Sequence, residues 1–175
     1  IVFLSVGQFI YRKGYDILLK ACEGLQDLCD VYIVGAEATD EYLYMKDKLY
    51  LNNVYFIGFK QKRELIEYYK AVDVFVLPTR EDIWGLVINE ALTYGLPVIT
   101  TDKCLAGVEL IDDGQNGFIV PAGSIDDLRN KMHFFINDPY QCIQFGKKSF
   151  LKMQNYTIEQ SANEHFRAFN KVLSS

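Results

Sequence analysis

The feature that most constrains this chain is an alternation of short, almost wholly apolar runs with longer amphipathic stretches. The runs are Ile1–Val6, Val31–Val34, Val54–Ile57, Val72–Leu77, Val98–Thr101 and Phe118–Val120, rich in β-branched and aromatic residues. Helical stretches are expected at Tyr15–Gly24, Asp40–Leu51, Lys62–Lys70, Leu86–Tyr94, Ile125–Ile136, Pro139–Met153 and Ile158–Val172. A strand with one wet face carries a polar residue at every second position, whereas a strand buried on both faces stays apolar throughout. Strands of the second kind, alternating with helices, predict an α/β fold. The expected architecture is a Rossmann-like, doubly wound parallel sheet of about six strands, with helices on both faces and extra C-terminal helices. Gly58, Gly95-Leu96-Pro97, Asp113-Gly114 and Asn116-Gly117 fall at the element boundaries, where turns are needed.

Residues 1–175 read as a single domain, long enough to bury a real core. With 50% hydrophobic and 23% charged residues the composition is that of a folded chain rather than a disordered one. The net charge of −5, without a cluster of Lys and Arg, argues against nucleic acid, whose binding rests on neutralising phosphates. Cys22, Cys29, Cys104 and Cys142 form no C-x-x-C pair, so neither zinc nor a disulfide framework is indicated. Reduced cysteines, no recognisable signal peptide and no apolar run long enough to cross a bilayer lead us to expect a cytoplasmic protein. The chain opens on a strand without an initiating Met, and we expect it to be a piece of a longer protein.

In doubly wound sheets ligands bind beyond the carboxyl ends of the strands. The loop after the first run reads Val6-Gly7-Gln8-Phe9-Ile10-Tyr11-Arg12-Lys13-Gly14. Gly7 allows close approach of a ligand to the backbone. Arg12 and Lys13 precede a helix start, whose free N–H groups favour anions. Taken alone, this loop reads more readily as a solvated pair of cations in an ordinary turn. It lacks the G-x-G-x-x-G dinucleotide fingerprint.

The loop after the fourth run is richer: Pro78-Thr79-Arg80-Glu81-Asp82-Ile83-Trp84-Gly85-Leu86-Val87-Ile88-Asn89-Glu90. Two acids precede an aromatic-glycine turn that opens a helix, and the N–H groups of Gly85, Leu86 and Val87 are expected at the strand ends. The acids could serve only to complement the helix dipole. Glu90 lies among Val87, Ile88, Ala91 and Leu92, so its carboxylate needs a polar partner.

In these loops the chain resembles the C-terminal domain of family 4 retaining glycosyltransferases of the GT-B fold. That family's pattern is proline, a small hydroxyl, two variable residues, Glu, Gly, an aromatic and Gly, with a second Glu further into the helix. Pro78, Thr79, Trp84, Gly85 and Glu90 match without gaps, Asp82 stands for the first Glu, and Ile83 replaces a Gly. Glu81 can serve as the first acid only if the loop shifts by one residue. Gly7, Lys13 and Gly14 fit the family's first loop, with Gln8 where an Arg is usual.

The resemblance implies a donor-binding domain that recognises a nucleoside-diphosphate sugar, without a metal or other cofactor. Lys13, with Arg12 or Gln8 and the Gly7 backbone, would neutralise the diphosphate, aided by Gly85, Leu86 and Val87. Glu90 would hold the ribose hydroxyls, Asp82 or Glu81 would lie by the donor sugar, and Gly58 and Phe59 would meet the base. The acceptor, a glycan or lipid-linked sugar in polysaccharide or glycolipid assembly, would bind an N-terminal domain outside this chain. The full-length enzyme would sit in the cytoplasm or at the inner face of the membrane, and the chain by itself would transfer nothing. Rival readings are a sugar-nucleotide 2-epimerase and a non-enzymatic flavodoxin-like module. The latter needs acids after the first strand, where Gly7-Gln8 stand instead.

Overall fold

The computed structural model describes residues 1–173. Six parallel strands form one sheet in the order β3-β2-β1-β4-β5-β6. They are β1 (Val2–Gly7), β2 (Asp30–Gly35), β3 (Val54–Ile57), β4 (Val74–Leu77), β5 (Val98–Thr101) and β6 (Gly117–Val120). The helices are α1 (Tyr15–Ala21), α2 (Asp40–Lys48), α3 (Lys62–Ala71), α4 (Leu86–Thr93), α5 (Leu105–Leu110), α6 (Ile125–Asn137), α7 (Tyr140–Met153) and α8 (Ile158–Leu173). The expected α/β architecture is therefore present. The expected single domain also includes Ser174 and Ser175, which lie outside the described residues.

Burial on both faces explains the apolar runs. All four residues of β4 are buried, and alternate ones enter different cores. Val74 and Val76 join Phe3, Leu18, Val31 and Phe135 on one side; Phe75 and Leu77 join Leu4, Ile88, Leu92 and Leu110 on the other. A one-residue slip in register would exchange these two sets.

Helix ends differ from the expected ones where left-handed backbone intervenes. α1 stops at Ala21 rather than reaching Gly24, which has φ +87°. α2 ends at Lys48, two residues before Tyr50, whose φ is +53°. β4 begins at Val74 rather than Val72; Asp73 leaves the strand, and its carboxylate accepts the Val2 N–H at 2.8 Å. Two elements escaped the periodicity altogether, the six-residue α5 and a 3₁₀ turn at Tyr11–Lys13. Neither is long enough to display a repeat.

The extra helices brace α4. Gly95, at its C-terminal end, packs against α7 so closely that a Cβ on Gly146 would lie 2.1 Å from the Gly95 carbonyl oxygen. α7 is tied further by Ser149, which donates to the Asn116 carbonyl, and by Lys152 on Asp112 at 2.8 Å.

Candidate functional site

Strand order reverses between β1 and β4, the position at which doubly wound sheets offer a ligand crevice beyond the strand ends. The backbones of the two loops touch directly. The Arg12 carbonyl accepts the Arg80 N–H at 2.8 Å and the Thr79 hydroxyl at 2.9 Å. Buried Thr79 is held in turn through its own carbonyl by the Thr101 hydroxyl at 2.7 Å.

Gly14 makes this approach possible. It has φ +70°, and a Cβ there would lie 2.1 Å from the Pro78 carbonyl oxygen. Left-handed backbone and a clash with main chain act together, so Gly14→Ala is expected to lower stability by about 2 kcal/mol or more. Urea denaturation checks this; a midpoint equal to the parent's would show that the loops can part freely.

A second clamp locks the outer edge. The Arg80 guanidinium makes two parallel hydrogen bonds of 2.7 Å to Asp16 and lies 3.9 Å from the centre of the Tyr11 ring. Burial tends to raise the Asp16 pKa, but the bonds and charge of Arg80, with Lys20 nearby, outweigh it and hold the carboxylate below its ordinary value.

Inside the clamps the Lys13 ammonium meets the Asp82 carboxylate at 2.6 Å, with only 14% and 12% of the two side chains exposed. Arg12 lies 3.7 Å from the same carboxylate and is more open to solvent. Asp82 is fixed by its backbone, which bridges to β5's exit: its N–H donates to the Lys103 carbonyl, and its carbonyl accepts from Leu105. Glu81 is exposed, and it is its carbonyl that takes part in the loop, accepting from Thr79 and Arg12. Ile83, in place of the resemblance's Gly, is 83% exposed with ordinary negative φ; the left-handed position falls at Gly85, with φ +94°. A side chain at Gly85 would meet the Cys104 sulfur at 2.7 Å.

Gly85 is also the N-cap of α4 and supplies no side-chain cap, so the first turn through Leu86 and Val87 keeps its amide donors available. Further along, Glu90 lines a groove of about 560 Å³ between α3 and α4, together with Leu86, Tyr69, Tyr94 and Met153. Its Oε2 accepts the Tyr69 hydroxyl at 2.9 Å, the polar partner that its apolar neighbours demand. Gly7, Gln8 and Phe59 line a second depression, which shares Leu65 with the first. Gln8 and Gly58 are exposed, and Phe59 presents an aromatic surface that is 80% exposed. The site residues expected from the loops thus gather along one edge of the sheet. Tyr69, Cys104 and the Arg80–Asp16 pair were missed; only the hydroxyl on an otherwise apolar face of α3 marked any of them in the sequence. Among the described residues no three His, Cys, Asp or Glu side chains are grouped to hold a metal ion, and no helix is long and apolar enough to cross a membrane.

These features define a Rossmann-like α/β domain whose β1 and β4 loops meet at the switch point around a charged cluster of Lys13, Arg12 and Asp82. Residues 1–155 match the family of glycosyl transferases group 1, and the chain belongs to that family. An uncharacterised glycosyltransferase of Haemophilus influenzae is 30% identical over 167 residues, covering 92% of this chain and 46% of that protein. Among solved structures, the Anabaena protein Alr3699/HepE in complex with UDP superposes with a TM-score of 0.85 at 24% identity, covering 95% of this chain and 48% of that one. The C-terminal domain of LpcC, a glycosyl transferase group 1 protein of Francisella tularensis, gives 0.75 at 24% identity, covering 90% and 86%. The fold is that of the C-terminal domain of GT-B glycosyltransferases. The chain spans about half the length of the Haemophilus relative.

Proposed function

We propose that this domain binds a nucleoside-diphosphate sugar and that the enzyme carrying it transfers the sugar with retention, in polysaccharide or glycolipid assembly. The observation that carries this reading is the largely buried Lys13–Asp82 pair at the switch point, with Glu90 in the adjoining groove. Breaking the bond between the anomeric carbon and the diphosphate builds negative charge on the leaving oxygen. A fixed ammonium and the α4 amide donors stabilise such charge without reorganising at the moment of reaction. Lys13 has three protons and can serve Asp82 and a phosphate together. Asp82 then accepts hydroxyls of the donor sugar, Glu90 accepts those of the ribose, and the base lies against Gly58 and Phe59. Gln8 and Arg12 complete the diphosphate contacts, the latter from the solvent side.

Because protein cations neutralise the diphosphate in this reading, donor binding needs no divalent metal. The acceptor is a glycan or lipid-linked sugar held by an N-terminal domain, at the cytoplasmic face of the membrane or in the cytoplasm. The chain alone therefore binds donor and transfers nothing. The group 1 family match favours transfer over the epimerase or flavodoxin-like alternatives.

Calorimetric titration in chelator tests the reading, using UDP, GDP and ADP with their 2′,3′-dideoxy forms. We expect one of the three to bind, and Glu90→Gln to weaken it by about tenfold while leaving the dideoxy form within about twofold. Binding that vanishes in chelator and returns with magnesium would overturn the role of Lys13. Equal losses for both forms would remove Glu90 from the ribose.

A further inference from the structure

We propose that Tyr69 is the positioning residue for Glu90, so that selectivity for the ribose hydroxyls depends on a tyrosine acting through that carboxylate. The inference rests on the reading of Glu90 as the ribose acid. Tyr69 belongs to α3 and is 2% exposed. Its ring is held between two others: it stacks on Tyr94 with centroids 5.5 Å apart and planes 7° from parallel, and it packs on Phe75 of β4 at 5.9 Å. A tyrosine pinned in this way has a fixed hydroxyl direction, and that hydroxyl points at Glu90 Oε2, 2.9 Å away.

Glu90 has two rotatable bonds beyond Cβ and stands half-buried at the wall of an open groove. Among the described residues no hydrogen bond engages its other oxygen, Oε1. One oxygen is therefore anchored, and the carboxylate plane is set by a buried donor rather than by solvent. Burial and the neighbouring carboxylate both raise the pKa of Tyr69, so the phenol stays protonated and remains a donor. The anchor also ties α3 to α4.

An acid that must accept two vicinal hydroxyls gains from such an anchor, because the rotamer need not be ordered by the ligand. Without the hydroxyl, Glu90 is free to swing toward solvent, and the ribose must bear the cost of ordering it.

The test is Tyr69→Phe, which keeps the ring and removes only the donor. In the full chain, the nucleoside diphosphate that binds among UDP, GDP and ADP is titrated beside its 2′,3′-dideoxy form. We expect the ribonucleotide to weaken by about fivefold and the dideoxy form by less than about twofold. On a Glu90→Gln background, Tyr69→Phe should change neither further. Because both ligands meet the same folded variant, a general loosening of the groove would weaken both alike and would overturn the proposal. An unchanged ratio in Tyr69→Phe, with a changed ratio in Glu90→Gln, would overturn the anchor while leaving the ribose role of Glu90 intact. An unchanged ratio in both would overturn the ribose role itself. Should the Phe variant fail to fold, Tyr69→Met carries the same comparison and the same outcomes.

Discussion

Replacing Lys13 by Met is expected to reduce turnover of the enzyme proposed to carry this domain by about two to three orders of magnitude. The ammonium is the best-shielded cation of the cleft, 14% exposed against 45% for Arg12. Charge placed in a water-poor site acts more strongly than the same charge at the surface. Methionine keeps most of the aliphatic stem, which runs past Gly7, where a Cβ would lie 3.4 Å from Lys13 Cε. The substitution therefore tests charge rather than packing. It also leaves Asp82 with only the longer Arg12 contact at 3.7 Å, so its carboxylate loses its close counter-charge. Steady-state rates and nucleoside-diphosphate affinity, measured separately, check the expectation. A cation that acts on developing leaving-group charge lowers turnover more than it lowers affinity for the sugar-free nucleotide. Turnover within about threefold of the parent would show that Arg12 and the α4 amides suffice without Lys13.

The fold was legible because parallel strands buried on both faces leave a signal that needs no tertiary information. β3 and β5 run over the residues that the apolar runs predict, and the boundaries of β1, β2, β4 and β6 move by one or two positions. α5 was not legible: with Leu105 and Val108 exposed and Ala106 and Leu110 buried, six residues give fewer than two turns of contrast.

The site divides in the same way. Lys13, Asp82 and Glu90 could be named because the family resemblance falls on them, whereas the first loop taken alone reads as an ordinary turn. Their partners could not, since Tyr69 reaches Glu90 from another helix and Arg80 reaches Asp16 across 64 residues. Gly85 was legible as a helix opener. That its missing side chain makes room for the Cys104 sulfur depends on how the β5 exit folds back. Pairings of this kind are set by the sheet order, which places β1, β4 and β5 side by side although their loops are distant in sequence.

The loop after β4 leaves a choice between two acids, and their surroundings separate them. Asp82 is anchored on both sides of its peptide by Lys103 and Leu105, and its carboxylate is 12% exposed against Lys13. Glu81 points its carbonyl inward, to Thr79 and Arg12, and is exposed. Aspartate is a methylene shorter than the glutamate of the resembling family, and the bridge to Cys104 draws the Asp82 backbone beside the β5 exit. In the enzyme proposed to carry this domain, Asp82→Asn is expected to lower turnover by about two orders of magnitude or more, while the sugar-free nucleoside diphosphate binds within about threefold of the parent. The amide keeps the shape but loses the charge that orders Lys13 and that accepts sugar hydroxyls most strongly. Glu81→Gln, by contrast, should stay within about twofold on both measures, because its backbone contacts survive the change. The reverse pattern would place the functional acid at Glu81 and require the loop to shift by one residue when the donor binds. Full turnover in both variants would remove both acids from the chemistry and leave Lys13 and the α4 amides as the groups that act on the donor.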